Sequence, residues 1–85
     1  MDRQQIEFIT NEIISLQLKV NSKMILACAS LADYGADHLD RLDIVMKIRE
    51  KFNIWLKPNY VEDLRTEKIE HLYDEIQSHI NVWKK

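Results

Sequence analysis

Three histidines, one cysteine and a clustered set of carboxylates are the side chains with chemistry to offer in this 85-residue chain. His38 has the densest company, with Asp37 before it and Asp40 and Asp43 shortly after. An imidazole among carboxylates can act as a general base, a metal ligand or a pH-responsive charge. Each use needs partners. As a base, His38 has no nucleophile candidate beside it. As a ligand it lacks a neighbouring His or Cys, because His71 and His79 lie far along the chain. Asp33, Asp37 and Asp40 do not follow the spacing of a calcium loop. No metal site and no catalytic residue is predicted. The expectation for His38 is an exposed place in a helix's first turn, where the dipole disfavours imidazolium and the aspartates favour it. Cys28 stands alone, which excludes a disulfide framework and predicts a buried small hydrophobe.

The apolar residues after His38 are more informative. From Leu39 at 100° per residue, Ile44, Val45, Ile48 and Phe52 gather within about 140–240°, which is one core stripe. Leu39, Leu42 and Met46 gather separately, at about 300–360°. Asp37, Asp40, Asp43 and Glu50 border this second strip. Two readings stand: a small bundle buries this helix on two sides, or the strip is a docking face for basic, groove-bearing partners.

The elements that hold these residues follow from periodicity and punctuation. Ile6, Ile9, Ile13, Leu16 and Val20 recur at three- and four-residue spacing, predicting a helix from about Asp2 to Lys19 with those residues inward. Phe8, Ile14 and Leu18 fall elsewhere on that wheel, so this helix is expected to meet neighbours on more than one side. The stretch from Asn21 to Asp37 loses the period; Asn21-Ser22 suits a turn, and Met24 to Ala27 a short helical turn or a core cover. Gly35 supplies backbone freedom and Asp37 an N-cap for a helix from His38 to Phe52 or Asn53. Lys57-Pro58-Asn59 is expected to stop that helix and open a short third one, with Tyr60, Val61 and Leu64 inward. A last helix is expected from near Thr66, with Glu67 in its first turn and Ile69, Leu72, Tyr73, Ile76, Ile80 and Trp83 as its stripe.

Composition sets the class. With 46% hydrophobic residues the chain can bury a core, and a single glycine and a single proline leave little turn chemistry for hairpins. The prediction is all-α: three sizeable helices and a short one in a four-helix bundle, as one domain over residues 1–85. The net charge of −2 argues against nucleic-acid binding and strong attraction to anionic membranes. Lys84-Lys85 is too small for a polybasic anchor and is expected to be a solvated, frayed end. No apolar run approaches the roughly 20 residues that span a bilayer, and no signal-peptide pattern opens the chain. A cytoplasmic monomer without membrane insertion is expected.

Asp33, Tyr34, Gly35, Asp37, Leu39, Asp40, Leu42, Asp43, Ile44, Val45, Met46 and Phe52 together form a pattern that resembles the attachment motif of acyl carrier proteins. The match is tight over about twenty residues, and the helix lengths, long first loop and short third helix extend it over most of the chain. The resemblance implies an acyl-carrier-like four-helix bundle that is not an enzyme. In that family a serine hydroxyl carries 4′-phosphopantetheine, whose thiol holds acyl groups as thioesters, and an acidic second helix meets partner enzymes. By position, the attachment site is His38, and the partner-binding positions are Asp37, Leu39, Asp40, Leu42, Asp43, Met46 and Glu50.

Two departures modify that implication. Imidazole offers no hydroxyl for the family linkage, and Ser30 lacks the surrounding motif, so no cofactor is expected here; 4′-phosphopantetheine would be expected were residue 38 serine. The second helix also carries four bases (Arg41, Lys47, Arg49 and Lys51) against four acids, whereas the family's is strongly acidic. The expected function is a carrier-like module that docks onto protein partners, such as acylation enzymes, in a fatty-acid, lipid or related context. It is either a divergent relative or an engineered unmodified form. The alternative is a non-carrying adaptor similar to the carrier-like proteins of type III secretion systems.

Overall fold

The structure, a computed structural model, describes residues 2–83, with side chains through residue 80. Four α-helices follow in order: α1 (Arg3–Leu18), α2 (His38–Phe52), α3 (Tyr60–Asp63) and α4 (Ile69–Trp83). No strand joins them among the described residues, so the all-α expectation holds. α1 packs on α2 and α4, and α3 packs on α2.

α1 opens with a capping box. Asp2 Oδ1 accepts from the Gln5 N–H at 2.9 Å, and Gln5 Oε1 accepts from the Asp2 N–H at 3.1 Å. The helix ends where Lys19 turns left-handed, at φ 57°. Its buried line is Ile6, Thr10 and Ile14, flanked by the partly buried Ile9, Ile13, Leu18 and Val20. This corrects the predicted face at Leu16, expected inward and 75% exposed, whereas Ile14, off the main stripe, is core. The periodicity counted apolar residues only, whereas Thr10 holds the centre of the inner face and rotates it by about 80°. The Thr10 hydroxyl is fully buried and has no hydrogen-bond partner among the described residues.

The connection from α1 to α2 is ordered by its own hydrogen bonds. Asn21 Oδ1 accepts from the Lys23 N–H and caps a 3-10 turn at Ser22–Met24. A second 3-10 turn, Leu31–Tyr34, ends at Gly35 with φ +83°, the conformation that favours glycine. The Tyr34 hydroxyl accepts from the Leu26 N–H at 2.7 Å and donates to the Met24 carbonyl at 2.9 Å. Ile25 and Leu31 point inward while Met24 and Leu26 stay exposed.

This connection also sets the start of α4. The Ile69 N–H donates to the Ala29 carbonyl at 2.8 Å and the Glu70 N–H to the Ala27 carbonyl at 2.9 Å, beside a bridge between Ser30 and Lys68. First-turn amides have no partner within their own helix, and here loop carbonyls serve them. α4 therefore starts at Ile69, three residues later than expected, with Glu67 outside it. The same pairing turns Cys28 outward: the cysteine expected in the core is exposed. Ile69, Leu72, Tyr73 and Ile76 are buried as expected and Ile80 partly so. The Trp83 side chain, expected on that stripe, and the Lys84-Lys85 end lie outside the described residues. Burial pushes the Tyr73 hydroxyl up to about 12, and this hydroxyl donates to Asn11 Oδ1 across the α1–α4 seam.

α2 opens with a reciprocal cap. Asp37 Oδ1 accepts from the Asp40 N–H at 2.8 Å and Asp40 Oδ2 accepts from the Asp37 N–H at 3.2 Å. Ile44, Val45, Ile48 and Phe52 are its buried stripe. The helix ends at a left-handed Asn53, φ 53°, before Lys57-Pro58-Asn59, which had been expected to stop it. The chain then alternates, with Ile54 and Leu56 buried and Trp55 and Lys57 exposed, before α3 buries Val61. Arg41 is buried as well, its Nε donating to the Val61 carbonyl at 3.1 Å and its Nη1 reaching the Ala36 carbonyl at 3.5 Å. One guanidinium thus ties the entry of α2 to α3.

The rotated face of α1 gives a direct test. Ile14→Ala should cost about 2–4 kcal/mol by urea unfolding, and Leu16→Ala less than about 0.5 kcal/mol. The reverse order would restore the apolar-only reading of this helix.

Candidate functional site

The strip predicted on α2 is on the surface. Leu39 is 66% exposed, Leu42 37% and Met46 48%, while the opposite stripe of the same helix is buried. Among the described residues, α2 is therefore not buried on its second side. The strip runs along the helix into a shallow depression lined by Met46, Arg49, Glu50, Asn53 and Ile54.

The acidic border is less uniform than its sequence suggests. Asp37 and Asp40 cap each other's backbone amides. Gln17 of α1 reaches across, its Nε2 donating to Asp40 Oδ1 at 3.1 Å and Asp43 Oδ2 at 3.3 Å, while its Oε1 accepts from Lys47 Nζ at 3.1 Å. The Gln17 amide, followed by the backbone N–H of the cap, holds the Asp40 carboxyl below its ordinary range. Glu50 is exposed on the rim of the depression. The structure therefore joins Asp37, Leu39, Asp40, Leu42, Asp43, Met46 and Glu50 along one helix, with Asp40 and Asp43 partly engaged by α1. The charge count also changes: Arg41, one of the four bases tallied for the helix, is inside, so the exposed face of α2 is more acidic than the sequence sum.

His38 sits in the first turn of α2, exposed as expected, with Nδ1 3.0 Å from Oε1 of Glu62 on α3. Gln17, Glu62 and the buried Arg41 escaped the sequence reading because each acts across elements distant along the chain. Arg49 over Trp55 escaped it too, since nothing in periodicity marks a cation–aromatic stack. Among the described residues, no group of three His, Cys, Asp or Glu side chains is placed to hold a metal ion, and no helix is long and apolar enough to cross a membrane.

A capped, acidic-edged second helix with an exposed apolar strip, in a bundle of three long helices and one short, agrees with the comparison to known proteins. The chain is 33% identical over 66 residues to an acyl carrier protein of Cyanidium caldarium, covering 76% of this chain and 71% of the relative. It is 38% identical over 65 residues to an acyl carrier protein of Guillardia theta, covering 75% and 80%. The chain belongs to the acyl carrier protein family. It matches no protein-family model. Membership in the acyl carrier protein family makes this chain a carrier-type module and not an enzyme.

The residues at the attachment position do not fit the group that the resemblance implies. A phosphodiester needs a hydroxyl in the first turn of α2, and residue 38 presents an imidazole engaged with Glu62. Ser30 caps the 3-10 turn, its N–H donating to Asp33 Oδ2 at 2.9 Å, and it bridges to Lys68. It offers no substitute in α2.

Removing the amide of Gln17 tests the α1–α2 link. The Asp40 pKa is depressed, so its stabilisation is present above the unfolded-state pKa and is lost as pH falls through the lower folded value. Gln17→Ala should move the Asp40 carboxylate titration, followed by NMR, to higher pH. An unchanged midpoint would show that the contact is not formed in solution.

Proposed function

We propose that this chain is a single carrier-like domain that docks onto protein partners through α2, and that His38 leaves it unable to carry 4′-phosphopantetheine. The observation that carries the docking reading is the solvent-facing strip of Leu39, Leu42 and Met46 on a helix whose core stripe is already satisfied. Apolar side chains held out on a rigid, well-capped helix suit a groove that buries them. Asp37, Asp40, Asp43 and Glu50 favour bases around that groove and disfavour acidic competitors.

The non-carrying reading rests on chemistry at one atom. A serine oxygen can attack the pyrophosphate of coenzyme A and keep the phosphate as a stable diester. A ring nitrogen in its place would form a labile phosphoramidate, and one of the two, Nδ1, is already paired with Glu62. Partners would then meet the recognition surface without receiving an arm. The relatives' family name makes acylation enzymes of fatty-acid or lipid metabolism the partner class to test first, in the cytoplasm.

Incubation with a phosphopantetheinyl transferase and coenzyme A, read by intact mass, should leave this chain unmodified. A mass increase would overturn the non-carrying reading, and failure of His38→Ser to load would place the block beyond residue 38. For the strip, Met46→Glu should keep the helical circular dichroism and change unfolding stability by less than about 1 kcal/mol, as surface substitutions do. A loss of several kcal/mol would mean that Met46 belongs to the core.

A further inference from the structure

The C-terminal end of α2 differs in chemistry from its N-terminal half. Arg49 lays its guanidinium over the Trp55 ring, 4.1 Å from the centroid. Trp55 is 57% exposed although it sits between the buried Ile54 and Leu56. Lys57, two residues on in the same alternating segment, falls on the outer side with Trp55. Among the described residues, the Arg49 side chain makes no hydrogen bond and no ion pair. A guanidinium held over an indole by its π face leaves N–H donors available, in the fork geometry that matches a carboxylate. The helix dipole accounts for bases at this end. It does not account for an exposed indole beneath one of them, beside a depression that Arg49 itself lines.

We propose that this corner is a carboxylate-recognition site for an acidic, leucine-bearing segment of a partner protein. The apolar side chain enters the depression over Met46 and Ile54, and the adjoining carboxylate lies along the free edge of Arg49, with Lys57 as a second charge. The site rests on the docking reading of α2, because Met46 belongs to both. The full partner surface then carries opposite charges at its two ends, bases toward Asp37 and Asp43 and an acid toward Trp55. That polarity fixes the direction in which the strip is read. A protein segment suits the corner better than an anionic membrane does. A short acidic segment can meet Arg49 and Lys57 alone, whereas a uniformly negative plane would also face Glu50, which lines the same depression, and the rest of a chain of net charge −2.

The test is a titration of the full ¹⁵N-labelled chain with two peptides, acetyl-Glu-Leu-Asp-Leu-Glu-amide and acetyl-Lys-Leu-Lys-Leu-Lys-amide. The acidic peptide should shift the Trp55 indole N–H peak saturably, while the Trp83 peak, distinguished by a Trp55→Phe sample, stays in place. Arg49→Gln should weaken that binding by about three- to fivefold, the range of an exposed ion pair, with amide peaks elsewhere unchanged. No saturable shift, or equal shifts from both peptides, would overturn the site. Greater perturbation of Trp55 by phosphatidylserine vesicles than by the acidic peptide would overturn it in favour of a membrane surface. The basic peptide reports separately on the acidic half: absent shifts at Asp43 would sink that docking reading and leave the Trp55 result intact.

Discussion

The bundle depends on how the long α1–α2 connection meets α4. Nineteen residues, Lys19 to Asp37, join α1 to α2 with only two 3-10 turns among them, and their backbone groups must find partners without a sheet. They find them by lending the Ala27 and Ala29 carbonyls to the first amides of α4. That exchange satisfies both sides at once, fixes where α4 begins, and carries Ile25 and Leu31 into the core from the same segment. With the connection pinned, α2 enters at a set angle, and its Asp37–Asp40 cap and Arg41 strut complete the placement.

That placement explains why α2 can afford an apolar outer strip. Its inner stripe is filled by Ile44, Val45, Ile48 and Phe52, α3 is tied to it by a guanidinium, and α1 engages one flank through Gln17. The remaining flank faces water. The docking strip proposed on α2 therefore sits on a rigid helix and not on a loop, which would limit the ordering cost of binding. The same rigidity holds for His38, whose position in the first turn is set by the cap and not by any contact of its own ring beyond Glu62.

Much of this was legible in the sequence, and the exceptions have physical causes. The α2 cap, its inner stripe and its outer strip followed from residue type and a 100° period, because local capping and burial dominate there. Thr10 misled because a hydroxyl at the centre of a buried face carries no hydrophobic signal. Arg41 misled because charge predicts exposure, and only the carbonyls of Ala36 and Val61, brought together by the fold, reverse that preference. Cys28 and the first residue of α4 depended on a single long-range backbone pairing, which no local pattern announces. Arg49 and Trp55 were legible as types but not as a pair.

Gly35 carries one more implication. Its φ of +83° is required by the turn, yet no atom lies within 4 Å of where a Cβ would stand. The demand at this position is therefore one of handedness and not of space. A residue of mirror-image chirality would meet the dihedral without a clash and would narrow the unfolded ensemble. The chain's only glycine thus marks a place where the fold would accept the opposite stereochemistry from every other residue around it.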